Sequence, residues 1–354
     1  MLTRNDRVVL AVTGVALAAS ATLHFIGANE VLRFVTAAAA LSLLAVNVSR
    51  GTEELGAHLG PAATGILQAA LGNLPELLVC TFALRAGLVS VVQGALIGSI
   101  LANSLLVLGI AIFVGGLKHG RMRFDAESPR MIASLMMLAV AALAIPTLAF
   151  ELHTPAANHE RQLSVACAVL LLAVFVASLP FSLGSDPERS LRQVERDVPA
   201  PEWPLWLAIV ILICASAGAA AVSDWFVEAL EPAIGALHIS QAFAGIVVVA
   251  IAGNAVENVV GIRLAAKNRP DYALSVVLNS SLMIALVVVP LLVFLSFLVG
   301  PAPLTLVLPP LLIAALLLTT LTSAIIVNDG ETIWIEGVAL IGLYGIIAAA
   351  FWWG

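Results

Sequence analysis

Two short stretches decide the fold, GNLPE at residues 72–76 and GNAVE at residues 253–257. Each places a Gly-Asn pair and a glutamate inside a long apolar run, and the two stretches start 181 residues apart (253 − 72). At this offset four scarce residues coincide with their counterparts: Gly72/Gly253, Asn73/Asn254, Glu76/Glu257 and Ser99/Ser280. Because polar residues are rare in this chain, the matches indicate an internal repeat.

The composition predicts an all-α polytopic membrane protein embedded in a lipid bilayer. Hydrophobic residues make up 61% of the 354 residues and charged residues 11%, with a mean hydropathy of +1.07. Soluble domains are about 45–50% apolar and about 25% charged. The net charge of −6 and the lack of a basic patch give no indication of a nucleic-acid partner, and we expect none. The three cysteines fall in separate apolar runs and suggest neither a disulfide framework nor a metal site.

A membrane-spanning helix needs about 20 apolar residues. This length predicts eleven transmembrane helices, near residues 8–26, 31–48, 62–84, 88–116, 131–150, 163–183, 204–226, 241–265, 272–299, 304–327 and 332–353. If the spans alternate in direction, only Arg33, Arg85 and Arg161 fall on one side, and the other thirteen of the sixteen Lys and Arg residues share the opposite side. The positive-inside rule then places the N-terminus in the cytoplasm and the C-terminus outside, in what we expect to be a prokaryotic plasma membrane.

The two Gly-Asn motifs lie in the third and the eighth predicted spans, and because these positions differ by an odd number the two helices should cross the membrane in opposite directions. We therefore predict one extra N-terminal helix (1–28), a first five-helix repeat (29–184), a cytoplasmic connector (185–203) and a second, inverted five-helix repeat (204–354). Inverted repeats are typical of secondary transporters, whose sites lie near the bilayer midplane between the halves.

Glu76 and Glu257 are the candidate cation- and proton-binding residues. A carboxylate deep in a span costs about 2.5–3.5 kcal/mol on insertion scales, so intramembrane acids usually face a protein interior or a wet cavity and serve function. Oxygen ligands suit hard divalent cations such as Ca²⁺, and two carboxylates neutralise one such ion. Protons can replace the ion on the emptied pair, and this competition is the chemistry of an antiporter.

Further polar residues near the two glutamates can supply oxygen atoms. Asn73 and Asn254 lie one helical turn before the acids, while Gly72 and Gly253 weaken the local helix. The next spans add amides and hydroxyls, at Ser99, Asn103, Asn279, Ser280 and Ser281. Two acidic groups form candidate vestibules that would concentrate cations, or are ordinary solvated helix ends: Glu53 and Glu54 in one, and Asp224, Glu228 and Glu231 in the other. The histidines near predicted span ends, including His24, are expected to be ordinary, and Trp203 is expected in an aromatic belt.

Residues 72–116, from GNLPELLVC to FVGG, closely resemble the first α-repeat of the Ca²⁺/H⁺ antiporters (CAX) of the cation/Ca²⁺ exchanger superfamily. Residues 253–286, GNAVENVV to MIAL, are similar to the second α-repeat. The resemblance implies eleven spans and exchange of cytosolic Ca²⁺ for external protons. It also implies that Glu76 and Glu257 are the central ligands, helped by backbone carbonyls near Gly72 and Gly253, and that spans 2 and 7 are the gating helices.

The sequence also departs from this family in places. Leu74-Pro75 stands where the family usually has Ala-Thr, and Met283 stands where it usually has Gln. A Na⁺/Ca²⁺ exchanger, or a proton-coupled exchanger of Mn²⁺, Zn²⁺ or Mg²⁺, therefore stays open as an alternative. The sequence lacks HExxH and GxSxG motifs, so we predict no enzyme, and no resident cofactor beyond the transported ions. The resemblance is compatible with a homo-oligomer.

Overall fold

The computed structural model describes residues 2–59, 67–68, 71–184 and 201–353, with the backbone alone at 180–184. The predicted connector, residues 185–203, lies almost wholly outside this range, and the predicted span 62–84 lies partly outside it. The described helices are α1 (Arg4–Phe25), α2 (Glu30–Leu59), α3 (Leu74–Arg85), α4 (Val89–His119), α5 (Glu127–Glu151), α6 (Glu160–Gly184), α7 (Leu205–Leu237), α8 (Gln241–Gly253), α9 (Ala255–Ala266), α10 (Pro270–Val299), α11 (Pro310–Ile326) and α12 (Trp334–Ala350).

Several of these helices are long and apolar enough to cross a bilayer. In the described part of the chain seven helices meet this test alone, and α8 with α9 would make an eighth span bent by 64°. Helices α11 and α12 are apolar but only 17 residues long, and α3 has 12 residues. The chain is thus an integral membrane protein, while the count of eleven spans stays a prediction.

The two Gly-Asn motifs mark matching helix starts. Helix α3 begins at Leu74, directly after Asn73, and α9 begins at Ala255, directly after Asn254. Both helices have 12 residues, and their first residues are again 181 apart (255 − 74). Wider π-helical turns in α4 (Ala102–Val107) and α10 (Ile284–Val288) also end 181 residues apart (288 − 107). The offset seen in the residues therefore recurs in the local backbone.

By compactness the chain divides into two units. Unit 1 consists of Met1–Phe82 and Leu172–Leu237, and unit 2 of Ala83–Leu171 and His238–Gly354. In unit 1, α2 packs along α7, and α1 packs against both. Small residues let the backbones approach, since a Cβ on Gly51 would lie 3.1 Å from Leu212 Cβ.

Unit 2 contains α4, α5 and α8–α12. The first part of α4 packs on α8 so closely that a Cβ on Gly98 would collide with the backbone of Ile246. Met122–Arg123 (β1) pairs antiparallel with Glu331–Thr332 (β2), a two-residue ladder that the all-α prediction did not include. This ladder joins the segment after α4 to the segment after α11, and His119 Nε2 lies 3.1 Å from the carbonyl oxygen of Ala266 at the end of α9. The three segments therefore lie at one end of unit 2.

The prediction of a helix from residue 304 is wrong. The helix begins at Pro310, and the buried residues Leu304, Leu306 and Leu308 alternate along an extended segment. Pro309 and Pro310 explain this start, because a residue before proline is driven to extended backbone and proline itself fits the first helical turn. Side chains satisfy the extended backbone: the N–H groups of Leu304, Leu306 and Leu308 donate to the hydroxyls of Ser296, Ser164 and Thr147, and Gln93 Nε2 donates to the carbonyls of Thr305 and Val307.

Candidate functional site

Glu76 lies in the first turn of α3 in unit 1 and is 1% exposed. Residues Gly72 and Asn73 form the turn before this helix, and the Leu77 N–H closes its first turn by donating to the Asn73 carbonyl at 3.0 Å. Pro75 is the second helical residue, where a backbone N–H would have no partner within the helix. Aligned peptide dipoles at a helix start favour negative charge, so this position suits a carboxylate.

Glycine is required at position 72. The Gly72 N–H donates to the Gln68 carbonyl at 2.8 Å, and a Cβ on Gly72 would collide with that same carbonyl oxygen. The backbone ahead of Glu76 thus turns more tightly than any other residue permits.

Glu257 occupies the corresponding place in the first turn of α9 in unit 2. The axis bends by 64° between α8 and α9, and Asn254 stands at the break with φ −96° and ψ 24°. The Asn258 N–H donates to the Asn254 carbonyl at 3.1 Å and starts the new helix. Glu257 is half-buried, whereas Glu76 is fully buried.

Asn254 is the centre of a buried network of amides and hydroxyls in unit 2. Its Oδ1 accepts from Asn103 Nδ2 at 2.8 Å, and its Nδ2 donates to Ser99 Oγ at 2.9 Å and to the Ala250 carbonyl at 2.8 Å. Asn103 Nδ2 also donates to Ser280 Oγ at 3.0 Å. Four predicted supporting residues from α4, α10 and the α8–α9 break therefore meet in one place.

The network leaves one oxygen available. Asn103 is 0% exposed and both of its amide hydrogens are used, yet its Oδ1 has no hydrogen-bond partner among the described residues. A buried carbonyl oxygen without a partner costs about 1–3 kcal/mol, which a bound cation would recover. This atom is a candidate ligand for a hard cation.

Two further residues of this region differ from expectation. Ser281 is buried, and its hydroxyl lies 3.0 Å from that of Ser104, a residue that the sequence analysis missed although a hydroxyl beside Asn103 was a usable signal. Asn279 does not join the network; its side chain is exposed at the surface of α10. One helical position turns the side chain by about 100°, so Asn279 and Ser280 cannot face the same neighbours.

The first candidate vestibule contains a structural carboxylate. Glu54 is buried and accepts from the backbone N–H groups of Glu202 (2.9 Å) and Trp203 (3.0 Å). The aromatic-belt prediction for Trp203 is wrong: this residue is 2% exposed, and its Nε1 donates to Asp6 Oδ2 at 3.1 Å. Glu54 therefore anchors the segment before α7, whereas Glu53 is exposed.

The second candidate vestibule lies on α7. Asp224, Glu228 and Glu231 are all exposed, at intervals of three and four residues that place them on one face of the helix. Arg33 Nη2 lies 2.9 Å from Glu228 Oε1, so at least one of the three carboxylates is ion-paired to α2. Cation attraction by either vestibule stays a prediction.

Within the described residues, no group of three or more His, Cys, Asp or Glu side chains could hold a metal ion.

Comparison with known proteins gives consistent matches along most of the chain. The family described as sodium/calcium exchanger protein matches residues 29–184 and 207–353. A Ca²⁺/H⁺ antiporter from Synechocystis sp. is 36% identical over 345 residues, covering 93% of this chain and 92% of the relative. The Ca²⁺/H⁺ antiporter ChaA of Bacillus subtilis is 35% identical over 87% of this chain and 88% of its own. The solved structure of native YfkE superposes with a TM-score of 0.83 at 29% identity, covering 97% of this chain and 99% of that one.

Proposed function

We propose, because the chain belongs to the Ca²⁺/H⁺ antiporter branch of the sodium/calcium exchanger family, that it exchanges Ca²⁺ for H⁺ across the membrane. The observation that carries the proposal is the matched start of α3 and α9. Each helix begins after an asparagine at a break and presents a glutamate in its first turn. Secondary transporters bind their substrates and coupling ions at discontinuous helices of this kind.

In this proposal Glu76 and Glu257 are both ligands of the transported Ca²⁺. Asn73, Asn103 and Ser99 supply further oxygen atoms, together with carbonyls near Gly72 and Gly253, while Asn254 and Ser280 orient Asn103. The unpartnered Oδ1 of Asn103 and the burial of Glu76 support this assignment. Ca²⁺ takes about 6–8 oxygen ligands in flexible geometry, which amides, hydroxyls and carbonyls can complete.

Protons would compete for the same carboxylates. A buried carboxylate is costly while it is charged and has no counter-ion. When Ca²⁺ leaves, uptake of protons removes that cost, so the empty transporter can return with up to two protons in place of the ion. Ca²⁺ and H⁺ are cargo here, and we propose no resident cofactor.

Alternating access would use α2 and α7 as gating helices. Their long contact within unit 1, supported by α1, lets the pair move as one body. We assign the N-terminus to the cytoplasm from the distribution of Lys and Arg. The meeting of the segments after α4, α9 and α11 at one end of unit 2 supports this alternation of spans.

The test is Ca²⁺ uptake into liposomes that contain the purified protein and carry a pH gradient, with and without Na⁺. We expect uptake that follows the pH gradient, needs no Na⁺, and is accompanied by proton movement measured with a pH dye. Asn279→Ala, outside the network, serves as a matched control that keeps transport. Uptake that requires a Na⁺ gradient would move the protein to Na⁺/Ca²⁺ exchange, and Ca²⁺ flux without proton movement would contradict antiport.

A further inference from the structure

Four side chains meet at the end of unit 1 that is remote from the N-terminus. His24 of α1 has its Nδ1 3.0 Å from Arg33 Nη2 of α2, and the same Nη2 donates to Glu228 Oε1 of α7 at 2.9 Å. The His24 ring stacks on Trp225 of α7, with centroids 5.1 Å apart and planes at 21°. The side chains of His24 and Arg33 are 16% and 15% exposed, so both are largely buried against their neighbours.

The hydrogen bond from Arg33 needs an acceptor nitrogen on His24. A guanidinium can only donate, so Nδ1 of His24 must accept and the imidazole must be neutral, with its hydrogen on Nε2. That Nε2 faces Glu228 Oε2 at 4.0 Å, just beyond hydrogen-bonding distance. The Glu228 carboxylate could therefore stabilise a protonated His24. The Arg33 guanidinium would have to move away from that second positive charge.

We propose that His24 is a second proton-binding site, separate from the glutamates of the candidate cation site. A proton on Nδ1 would place two donors and two positive charges 3.0 Å apart, so the bond between His24 and Arg33 would break. The imidazolium would then move towards Glu228. Histidine is the side chain whose charge ordinarily changes between about pH 5 and pH 8.

The charged groups around His24 come from both helices that pack on α1. Helix α2 carries Glu30 and Arg33 at this end, and α7 carries Asp224, Glu228 and Glu231. In the described residues only Arg33 and Glu228 lie within ion-pairing or hydrogen-bonding distance of His24. Nε of Arg33 is buried and has no hydrogen-bond partner among those residues, so the guanidinium is held there through Nη2 by His24 and Glu228.

Proton uptake would change which helices are tied together. With neutral His24, α1 is bonded to α2 through Arg33; with charged His24, α1 is paired to α7 through Glu228. If α2 and α7 are the gating helices of the proposed antiporter, acid at this end would loosen α2 from α1. The positive-inside assignment places this end outside, on the side that supplies the protons.

The first test needs no transport. Tryptophan fluorescence of the purified protein is recorded from pH 8 to pH 5, because a protonated imidazole stacked on an indole quenches its emission. With six tryptophans in the chain, we expect loss of about one sixth of the emission, in a single titration. The titration should vanish in His24→Gln, which still offers Arg33 an acceptor, and in Trp225→Phe. It should persist in the control His159→Gln, an exposed residue of unit 2. An unchanged titration in His24→Gln, or none in the unaltered protein, would overturn the proposal.

The second test uses transport. In liposomes, His24→Gln should keep the uptake of the unaltered protein at pH 8 and should lose its change in rate as the pH at the His24 end falls to 6. A pH response identical to that of the unaltered protein would overturn the gating role. If neither protein transports Ca²⁺, the proposed function fails, while the fluorescence titration still decides whether His24 binds a proton.

Discussion

Helices α3 and α9 have the same length, the same preceding asparagine and the same glutamate position, yet their surroundings differ. Glu76 is 1% exposed, whereas Glu257 is half-buried. The side chain of Asn254 is engaged by Asn103, Ser99 and the Ala250 carbonyl, whereas no side-chain hydrogen bond of Asn73 occurs within the described ranges. A repeated sequence therefore fixes where each helix starts, and the packing of each copy decides how deeply its polar groups are buried and which hydrogen bonds they make.

The largest effects should come from the glutamates. Glu76→Gln and Glu257→Gln each remove one negative charge needed to balance a divalent cation, so each should abolish Ca²⁺ uptake in liposomes. The comparison is sharpened by aspartate: Glu257→Asp should retain more uptake than Glu76→Asp, since a half-buried site has more room to adjust. Equal residual uptake in the two aspartate variants would break the distinction.

Replacing each motif asparagine by alanine should lower the thermal stability of the protein by different amounts in the two copies of the repeat. Asn254→Ala removes the acceptor of a buried Asn103 amide hydrogen and the donor to Ser99 Oγ, and an unsatisfied buried group costs about 1–3 kcal/mol. Thermal unfolding in detergent should therefore occur at a clearly lower temperature for Asn254→Ala than for Asn73→Ala. Asn73→Ala should instead weaken Ca²⁺ affinity with little change in the unfolding temperature. The same loss of stability in both variants would contradict this division of roles.

A smaller effect is expected from the hydroxyl pair of unit 2. Ser104→Ala and Ser281→Ala should each destabilise by about 1 kcal/mol, because each leaves one buried hydroxyl without its partner. The double variant should cost less than the sum of the two single changes, as for any pair in direct contact. The measurement is a double-mutant cycle on unfolding temperature, and strict additivity would show that the two hydroxyls do not interact.

The smallest effect is expected at Pro75. Its missing N–H falls in the first turn of α3, where it has no helical partner, so Pro75→Ala should change the unfolding temperature little. Val256 is the matching residue of α9, and Val256→Ala is the control at the same helical position. A large loss from Pro75→Ala alone would show that the rigid backbone of proline shapes the turn before Glu76.

The sequence predicted the parts of this molecule that depend on scarce residues in a regular pattern. Gly-Asn preceding a glutamate singled out both acids and the weakened helix before them, although the sequence predicted continuous spans there and not a new helix start, and the four-residue spacing of Ser99 and Asn103 placed them together. It could not predict which way a helical side chain points when the next residue faces the opposite side, as at Asn279. Nor could it predict hydrogen-bond partners that come from distant parts of the chain, as for Trp203 and Glu54. Pro309 and Pro310 indicate that α11 begins late, but the predicted span was set by the length of the apolar run, which begins earlier.

The extended segment before α11 has a consequence for the order of assembly. Among the described residues, the side chains that bond to its backbone belong to Gln93, Thr147, Ser164 and Ser296, and all four precede it in the chain. Lipid offers exposed peptide groups no partner, so this segment cannot settle until those four helices are already packed. During synthesis, α11 and α12 would therefore pack last, onto helices that have already folded. Loss of the hydroxyl of Thr147, Ser164 or Ser296 would delay this last step of folding in the membrane.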